Sequence, residues 1–431
     1  MDSQLNFYKI VPGIVETGKE TEVVISALDP RYYFSDDKQY SVKIQPMTRN
    51  ERGMVGLKKH ICENTYVKDG KLCFKWFFDN EEEYTVRVYF AEPREFIVQL
   101  SVYAVDSDLY NLRPLKGDLH IHSCRLIGPH TGSNETPAFT AADYRAAGYD
   151  FMILTDHECY AGSVEMQEAY KDVKLGINLM NGEEIHAPDN FLHFNNLGGK
   201  YSVNSLFHAD KDKYYQEVQQ IIDTEEIEYE DKFLYASCLW IARKTQESGG
   251  LAMLNHSHWI SNVYSMPDKL TKLLLKNKVF DVYEITGASN RHQNNMKAAF
   301  YYTLMKEGIE LPPVVSVSDS HGTVNGAFKN KYTIVFAEKN DREGVLEAIR
   351  ANRVAAVETF GSGEYNVLGD YRYVSYARFL IEWYFPLFPA VTAEEGKLMH
   401  QYILGCEEAK AKLDMRANNT EKLYKELFGK N

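Results

Sequence analysis

Long hydrophobic runs are missing from this sequence of 431 residues. No stretch reaches the ~18 consecutive apolar residues that a membrane-spanning helix needs. The nearest candidate, residues 379–391, is shorter and is interrupted by Glu382, Pro386 and Pro389. We therefore expect a buried helix or a subunit interface there, and a homo-oligomer is one possibility. A membrane partner is not expected. The N-terminus also lacks a basic region followed by an apolar one, so we expect a cytoplasmic protein.

Paired cysteines and excess positive charge are lacking as well. The six cysteines are scattered without a C-x-x-C pair, which excludes a small disulfide framework and indicates free thiols. Lys and Arg number 48 against 61 Asp and Glu, a net charge of −13 that repels phosphate backbones and anionic lipid. A general nucleic-acid or polybasic membrane binder is therefore not expected. An anionic substrate would need local attraction, which bound metal ions can provide.

Short alternating runs dominate the first part of the chain. Segments such as TEVVISAL and EYTVRVYF alternate apolar and polar residues and are separated by turn-forming clusters. This pattern predicts antiparallel strands with one exposed face. We expect an N-terminal antiparallel β-sandwich over residues 1–112, with a structural or substrate-presenting role.

The pattern changes at about residue 113. Strands that are apolar throughout now alternate with amphipathic helical segments, which predicts buried parallel strands in a β/α barrel over residues 113–360. Within it, the acidic insert at 200–249 indicates a solvated helix face or loop, or else a lid. Residues 361–431 are expected to form a helical C-terminal extension.

Residues with metal-binding side chains follow the apolar strands of this second region. Most of the 13 histidines lie in these motifs. The motifs are Asp118-Leu-His120-Ile-His122, Thr155-Asp156-His157, Gly182-Glu183-Glu184 with His193 beyond it, Asn255-His256-Ser257-His258, and Ser318-Asp319-Ser320-His321. Strand ends on one side of a β/α barrel carry the active site, so we expect these side chains to lie together.

The residue types indicate transition metals. Side chains two apart on a strand share a face, so His120 and His122 can reach one ion. Imidazole and carboxylate ligands suit zinc, manganese or iron, whereas calcium and magnesium sites are built mainly from oxygen. The donors are numerous enough for two or three ions.

The motif order H-x-H, T-D-H, G-x-E, H-x-H, S-D-x-H resembles the polymerase and histidinol phosphatase (PHP) family of metal-dependent phosphoesterases. The resemblance covers about residues 115–358, including the helix GVLEAIRANR, and implies a distorted, TIM-like barrel of seven βα units with a trinuclear site. One implied ion is held by His120, His122, Glu184 and Asp319, and Glu184 bridges to a second, held by His193 and His256. A third is held by His157, His321 and a residue of the loop after H-x-H. In this chain the loop is RLIGPHTGSNE, which departs from the common family pattern, and His130 is its best candidate.

Two ligand assignments have alternatives in the sequence. Glu183 is an alternative to Glu184, although the G-x-E spacing favours Glu184. His186 could compete with His193 as a ligand.

Further residues are candidates for roles around the ions. Asp118 and Asp156 each precede a motif histidine, and we expect them to orient imidazoles. His258 is expected either to orient a ligand or to donate a proton to the leaving oxygen. Arg125 and Arg291 follow strand ends and could contact a substrate phosphate, with surface salt bridges as the alternative.

These inferences predict hydrolysis of a phosphoester by a metal-activated water. The expected substrate is a small phosphorylated metabolite, a nucleotide or a short oligonucleotide, because no basic, aromatic-laced groove for long nucleic acid is evident. Two alternatives stay open: an amidohydrolase-like metal hydrolase, and a non-catalytic, metal-stabilised binding or scaffold protein. The amidohydrolases share an early H-x-H but usually use a bridging lysine, and no lysine stands at a strand end here.

Overall fold

The computed structural model describes residues 5, 7–48, 60–62, 64–91, 95–127, 132–287 and 290–430. The chain divides into two compact units. The first comprises Met1–Arg113, Val374–Val391 and Asn418–Asn431, and the second comprises Pro114–Tyr373 and Thr392–Ala417. Of the expected extension at 361–431, residues 374–391 and 418–431 belong to the first unit, and residues 361–373 and 392–417 belong to the second.

Two sheets form most of the first unit. Their strands are β1 (Tyr8–Val11), β2 (Ile14–Glu16), β3 (Lys19–Ala27), β4 (Tyr40–Pro46), β5 (His60–Ile61), β6 (Thr65–Lys68), β7 (Lys71–Phe78), β8 (Glu82–Phe90) and β9 (Phe96–Val105). One sheet has the order β1-β3-β7-β6 and the other β2-β9-β8-β4-β5. The rings of Phe78 and Tyr84, one from each sheet, lie 5.1 Å apart, so the sheets pack against each other. The pairing is antiparallel except that β2 runs parallel to β9.

The second unit contains the remaining strands. They are β10 (Arg113–Asp118), β11 (Ile121–His122), β12 (Phe151–Ile153), β13 (Asn178–Met180), β14 (Gly182–Ile185), β15 (Phe194–Leu197), β16 (Leu251–Leu254), β17 (Val282–Thr286), β18 (Val314–Ser316), β19 (Ser320–His321), β20 (Lys331–Ala337), β21 (Val354–Thr359) and β22 (Tyr365–Gly369). Their sheets have the orders β13-β12-β10-β20-β21-β22, β14-β15-β16-β17-β18 and β11-β19.

In the described ranges these sheets show a mixed α/β architecture, and the expected distorted seven-unit barrel is not shown. Over the described ranges the strands form three sheets and do not close into a ring. A β/α barrel needs parallel strands throughout, but β15 runs antiparallel to both β14 and β16, and β21 runs antiparallel to β20 and β22. Antiparallel neighbours need no helical crossover, so this part of the chain is a mixed α/β unit.

Helices are interspersed with the strands. They are α1 (Ser107–Tyr110), α2 (Pro137–Ala146), α3 (Tyr160–Ala169), α4 (Asn204–Ala209), α5 (Lys211–Thr224), α6 (Lys232–Glu247), α7 (Asp268–Lys276), α8 (Arg291–Lys306), α9 (Arg342–Arg350), α10 (Tyr371–Phe379), α11 (Pro389–Ile403), α12 (Glu407–Arg416) and α13 (Asn419–Leu427). No helix in the described ranges has both the length and the apolar character needed to cross a membrane.

The 200–249 insert folds into α4, α5 and α6. Asp210 and Asp231 begin α5 and α6, since each side chain accepts a hydrogen bond from a first-turn backbone N–H. Both helices bury apolar residues, including Tyr214 and Val218 in α5 and Trp240 in α6. The acidic residues 225–230 are therefore a connection between two packed helices.

An apolar core lies beneath the polar motifs. Leu119, Phe151, Met253, Val282 and Val317 are fully buried in one cluster. The apolar strand residues fill this core, so the histidines and carboxylates that follow them gather at its edge.

Candidate metal centre

A short parallel pairing joins the first and last motifs. In the β11–β19 ladder, His122 lies opposite His321. Asp319, just before β19, places Oδ1 2.9 Å from His122 Nε2 and 3.4 Å from His120 Nε2. The two motifs, almost 200 residues apart in sequence, thus supply one group of donors.

Glu184 is the centre of the site. Glu184 lies in β14 with its carboxylate buried, and its backbone forms an isolated parallel β-bridge with that of His157. Imidazole nitrogens surround its two oxygens at 2.6–3.6 Å: His157 Nδ1 (2.6 Å), His193 Nδ1 (3.2 Å), His256 Nε2 (3.4 Å), His120 Nε2 (3.5 Å), His186 Nε2 (3.5 Å) and His122 Nε2 (3.6 Å).

The donors fall into groups in which one ligand atom from each residue lies within 4.8 Å of the others. The groups are His120, His122 and Asp319; His122, His157 and His321; His157, Glu184 and His186; and Glu184, His193 and His256. Every ligand that the family resemblance implied is therefore in a group, apart from His130, which lies outside the described residues. His186 and His193 are both present, in different groups, rather than one excluding the other.

Unpaired buried polar atoms test whether these residues fit metal ions. His120 Nδ1 and Nε2, His122 Nδ1 and Glu184 Oε2 are buried without a hydrogen-bond partner within the described structure. Leaving a buried polar group unpaired costs about 1–3 kcal/mol, and more for a charged one. A coordinated cation would satisfy such atoms, and imidazole with carboxylate is the donor set of divalent transition metals. The residues therefore fit a divalent metal centre.

The electrostatics of the ring are set by its carboxylates. Burial lowers the pKa of His120, but Asp319 and Glu184 outweigh burial and raise this pKa well above its usual value. For His122, burial dominates and lowers the pKa to about 3. Burial opposes ionisation of Glu184, yet His120 and His193 hold its pKa well below normal. The site thus keeps its carboxylates ionised and draws a proton to His120, a position that cations would compete for.

Glu183 points away from the ring of histidines. It accepts hydrogen bonds from Ser202 Oγ at 2.6 Å, from Asn204 Nδ2 at 2.8 Å and from the backbone N–H of Val203. The structure therefore brings Glu184, and not Glu183, into the donor groups.

Asp118 and Asp156 contact backbone and hydroxyl groups. Asp118 accepts hydrogen bonds from Tyr144 Oη at 2.9 Å and from the backbone N–H groups of Ser318 and His120 at 3.1 and 3.3 Å. Asp156 accepts from Ser123 N and Oγ at 2.5 and 2.7 Å. Burial raises their pKa values to about 6 and about 7. Within the described ranges neither carboxylate hydrogen-bonds to an imidazole, so they brace the motif backbones rather than the rings.

The other candidates lie outside the donor groups. His258 Nε2 is 3.4 Å from Asp268, and its Nδ1 is 3.1 Å from Ser257 Oγ. Arg125 is held by Glu165 through two contacts of 2.7 and 3.1 Å. The Arg291 guanidinium lies 4.2 Å from the centre of the Phe360 ring. Arg125 therefore has the salt bridge that the sequence left as the alternative, and Arg291 has a ring contact.

Sequence reasoning gave no role to a buried ion pair beside the ligands. Glu284 and Lys297 are fully buried, with Nζ 2.7 Å from Oε1. Glu284 Oε2 accepts the His256 backbone N–H at 3.0 Å and lies 3.9 Å from His120 Nδ1. The available signal was a single glutamate in the apolar strand VYEIT, since a buried charge requires a partner.

Comparisons with known proteins give only distant likenesses. No protein-family model and no curated protein matches the sequence. A two-domain protein from Bacteroides vulgatus with a predicted PHP-like metal-dependent phosphoesterase is 20% identical over 57% of this chain and 65% of its own, with a TM-score of 0.39. The match thus spans less than two thirds of that protein.

Two further solved structures are similar over about half of the chain. A proposed metal-dependent phosphoesterase from Bifidobacterium adolescentis is 15% identical over 48% of this chain and 87% of its own, with a TM-score of 0.33. An amidohydrolase from Chromobacterium violaceum, with bound sulfate and no metal, is 16% identical over 48% and 88%, with a TM-score of 0.32. At these values the likeness assigns no activity to this chain.

Proposed function

We propose that this chain is a metal-dependent hydrolase of phosphoester bonds, of the PHP kind that its motif order resembles. The observation that carries the proposal is the buried Glu184 carboxylate, ringed by imidazoles from four separate sequence motifs, with Asp319 beside them. Structural histidines are satisfied by hydrogen bonds, whereas several donors here have none within the described structure.

The proposed centre is trinuclear and takes zinc, manganese or iron. His120, His122, Glu184 and Asp319 hold one ion, Glu184 with His193 and His256 holds a second, and His157 with His321 contributes to a third. When bound, divalent cations supply positive charge for phosphoryl oxygens and lower the pKa of a coordinated water. We also propose that the second unit is a distorted, TIM-like barrel and that the protein is cytoplasmic, as the sequence leads us to expect.

The chain's own residues hold the donors in place. Asp118 ties the backbone of the first motif to that of the last through His120 and Ser318. Glu284 fixes the backbone of His256 while Lys297 neutralises its charge. Such outer contacts preserve ligand geometry and tune metal affinity.

The substrate class is a small phosphorylated molecule. Glu165 engages Arg125, and Arg291 stacks on Phe360, so neither arginine is placed among the donor groups. Recognition of phosphate then depends on the cations. This arrangement suits a compact substrate better than a polyanion, which would meet the net charge of −13.

A metal analysis followed by a substrate panel tests the proposal. We expect the purified protein to contain divalent metal and to hydrolyse a phosphomonoester or a short oligonucleotide. Activity should disappear on chelation and in the Glu184→Gln variant, and should persist in His292→Ala, a change at an exposed histidine outside the groups. Full phosphatase activity in metal-free protein would refute the proposal.

The same panel separates the two alternatives. Metal-dependent hydrolysis of amides or lactones, without phosphoester hydrolysis, would favour the amidohydrolase alternative. Amidohydrolases usually use a bridging lysine, whereas the buried Lys297 of this chain is paired with Glu284. Bound metal with no hydrolysis of any compound would favour the scaffold alternative.

A further inference from the structure

His186 lies inside the ring of donors, although the family resemblance gives it no role. It follows β14 two residues after Glu184, and its side chain is only 10% exposed. Its Nε2 is 3.1 Å from His157 Nδ1 and 3.5 Å from Glu184 Oε2, and His157 Nδ1 is 2.6 Å from the same oxygen. Three donor atoms from three side chains therefore converge.

These separations are those of ligands around one ion. Metal–nitrogen bonds of about 2.0–2.1 Å and metal–oxygen bonds of about 2.0–2.2 Å place neighbouring donors about 3–3.5 Å apart. Two of the three separations, 3.1 and 3.5 Å, lie in that range, and the third is shorter. The spacing of His157 Nδ1, His186 Nε2 and Glu184 Oε2 is therefore close to that of ligands around one ion.

The hydrogen-bond pattern supports the same conclusion. Glu184 Oε2 is buried and has no hydrogen-bond partner in the described structure, although His157 Nδ1 lies 2.6 Å away. His157 Nδ1 also lies at hydrogen-bond distance, 3.1 Å, from His186 Nε2. A cation bound among these three atoms would give the unpartnered Glu184 Oε2 a partner.

The position of His186 is fixed by its surroundings. Its backbone N–H donates to Asn204 Oδ1 at 3.2 Å, and Asn204 Nδ2 donates to the carbonyl of Glu184 at 3.0 Å. Its ring packs against that of His193, with centres 3.9 Å apart. The end of β14 and the start of α4 therefore hold the imidazole in the site.

We propose that His186 is a metal ligand, in a position that it forms with His157 Nδ1 and Glu184 Oε2. This inference rests on the proposed metal centre and changes its composition. The family resemblance pairs His157 and His321 with a ligand from the loop after H-x-H, and in this chain that loop departs from the family pattern. His186 supplies a further imidazole to this part of the site from the end of β14.

Metal stoichiometry provides the first test. We expect His186→Ala to bind about one equivalent of metal less than the wild-type holoprotein, measured by elemental analysis after dialysis and by titration of the apoprotein with Zn²⁺. His292→Ala should retain the full content. If His186 only holds His157 by a hydrogen bond, His186→Gln will keep the wild-type stoichiometry and affinity, and the proposal is overturned.

Cobalt spectroscopy provides a direct second test, which also covers loss of folding in His186→Ala. A thiolate at this position would give a cobalt charge-transfer band only if residue 186 binds the ion. We expect Co²⁺-loaded His186→Cys to show this band and to recover the lost equivalent, whereas absence of the band in folded, loaded protein overturns the assignment. Neither readout needs turnover: a wild-type protein that hydrolyses nothing refutes the proposed function while leaving the role of His186 decided by the spectrum.

Discussion

Glu183 and Glu184 are consecutive in β14, and their carboxylates serve opposite faces of the strand. The first accepts hydrogen bonds from Ser202, Val203 and Asn204 and so anchors the loop before α4. The second faces the histidine ring and leaves Oε2 without a hydrogen bond in the described structure. Alternation along a strand separates a loop-anchoring carboxylate from a carboxylate of the candidate metal centre within two residues.

This relationship predicts opposite outcomes for matched variants. Glu184→Gln should lose most of the bound metal with a small effect on folding, because an amide is a poor substitute for a bridging carboxylate. Glu183→Gln should keep the metal but lose about 1–3 kcal/mol of stability, since its hydrogen-bond acceptors are partly replaced by a donor. Elemental analysis and urea unfolding measure the two effects, and equal metal loss in both variants would contradict the assignment.

Asp319 combines a carboxylate of the candidate metal centre with an unusual backbone conformation. Its φ of 48° lies in the left-handed region, which asparagine tolerates better than alanine. We expect Asp319→Asn and Asp319→Ala to lose metal to a similar degree. In chelator, Asp319→Ala should be less stable than Asp319→Asn by about 1 kcal/mol, because only the alanine strains the backbone. Equal stabilities in urea unfolding would show that the conformation is not maintained by the residue type.

The grouping of these side chains could be predicted from the sequence because residues that follow neighbouring strands lie at the same edge of the core. His120 and His122 follow one strand, and Asp319 and His321 follow another, so the β11–β19 pairing brings together residues that the motifs had already marked. His186 was recognised only as a competitor of His193. The spacing of His186 and His193 in the sequence does not show that the two imidazoles lie in different donor groups.

Other features depended on contacts that no local pattern specifies. Asp118 was expected to orient an imidazole, but Tyr144 and Ser318 reach it from distant segments. Arg125 has its partner on α3, 40 residues away in sequence. Apolar strands look alike in parallel and antiparallel sheets, so only the observed pairing reveals that β15 runs antiparallel to its neighbours.

Removal of metal should lower thermal stability. Chelation leaves Glu184 and Asp319 buried beside one another's charge, with only histidine protons to balance them. A ligand that binds only the native state contributes about 2.7 kcal/mol when its free concentration is a hundredfold above Kd. We expect chelator to decrease the Tm of the wild type and to have little effect on Glu184→Gln, as measured by differential scanning calorimetry. An unchanged wild-type Tm would indicate that no structural cation was present.

Arg145 and Glu395 form an ion pair that is completely buried between α2 and α11. Arg145 Nη2 is 2.6 Å from Glu395 Oε2, and Arg145 also donates to the Tyr149 carbonyl at 3.0 Å. Removing one partner strands a buried charge, so Arg145→Met or Glu395→Leu should each cost about 3–5 kcal/mol. The double variant should cost less than the sum of the two, measured by urea unfolding in a double-mutant cycle. Strict additivity would mean that the charges do not interact.

The ionised carboxylate of Asp143 is expected to make the stability of the fold depend on pH. Burial raises its pKa, but hydrogen bonds from His400, at 2.7 Å, and from Thr323 outweigh burial and lower the pKa below its usual value. A carboxylate with a lowered folded-state pKa stabilises the fold above its unfolded pKa of about 4, and this contribution is lost as the pH falls through the folded value. Asp143→Asn should therefore cost about 1–2 kcal/mol near neutral pH, with the deficit shrinking below pH about 4. Urea unfolding of the wild type, Asp143→Asn and the exposed control Asp172→Asn across this range measures the effect, and a deficit that does not change with pH would show that the charge of Asp143 is not responsible.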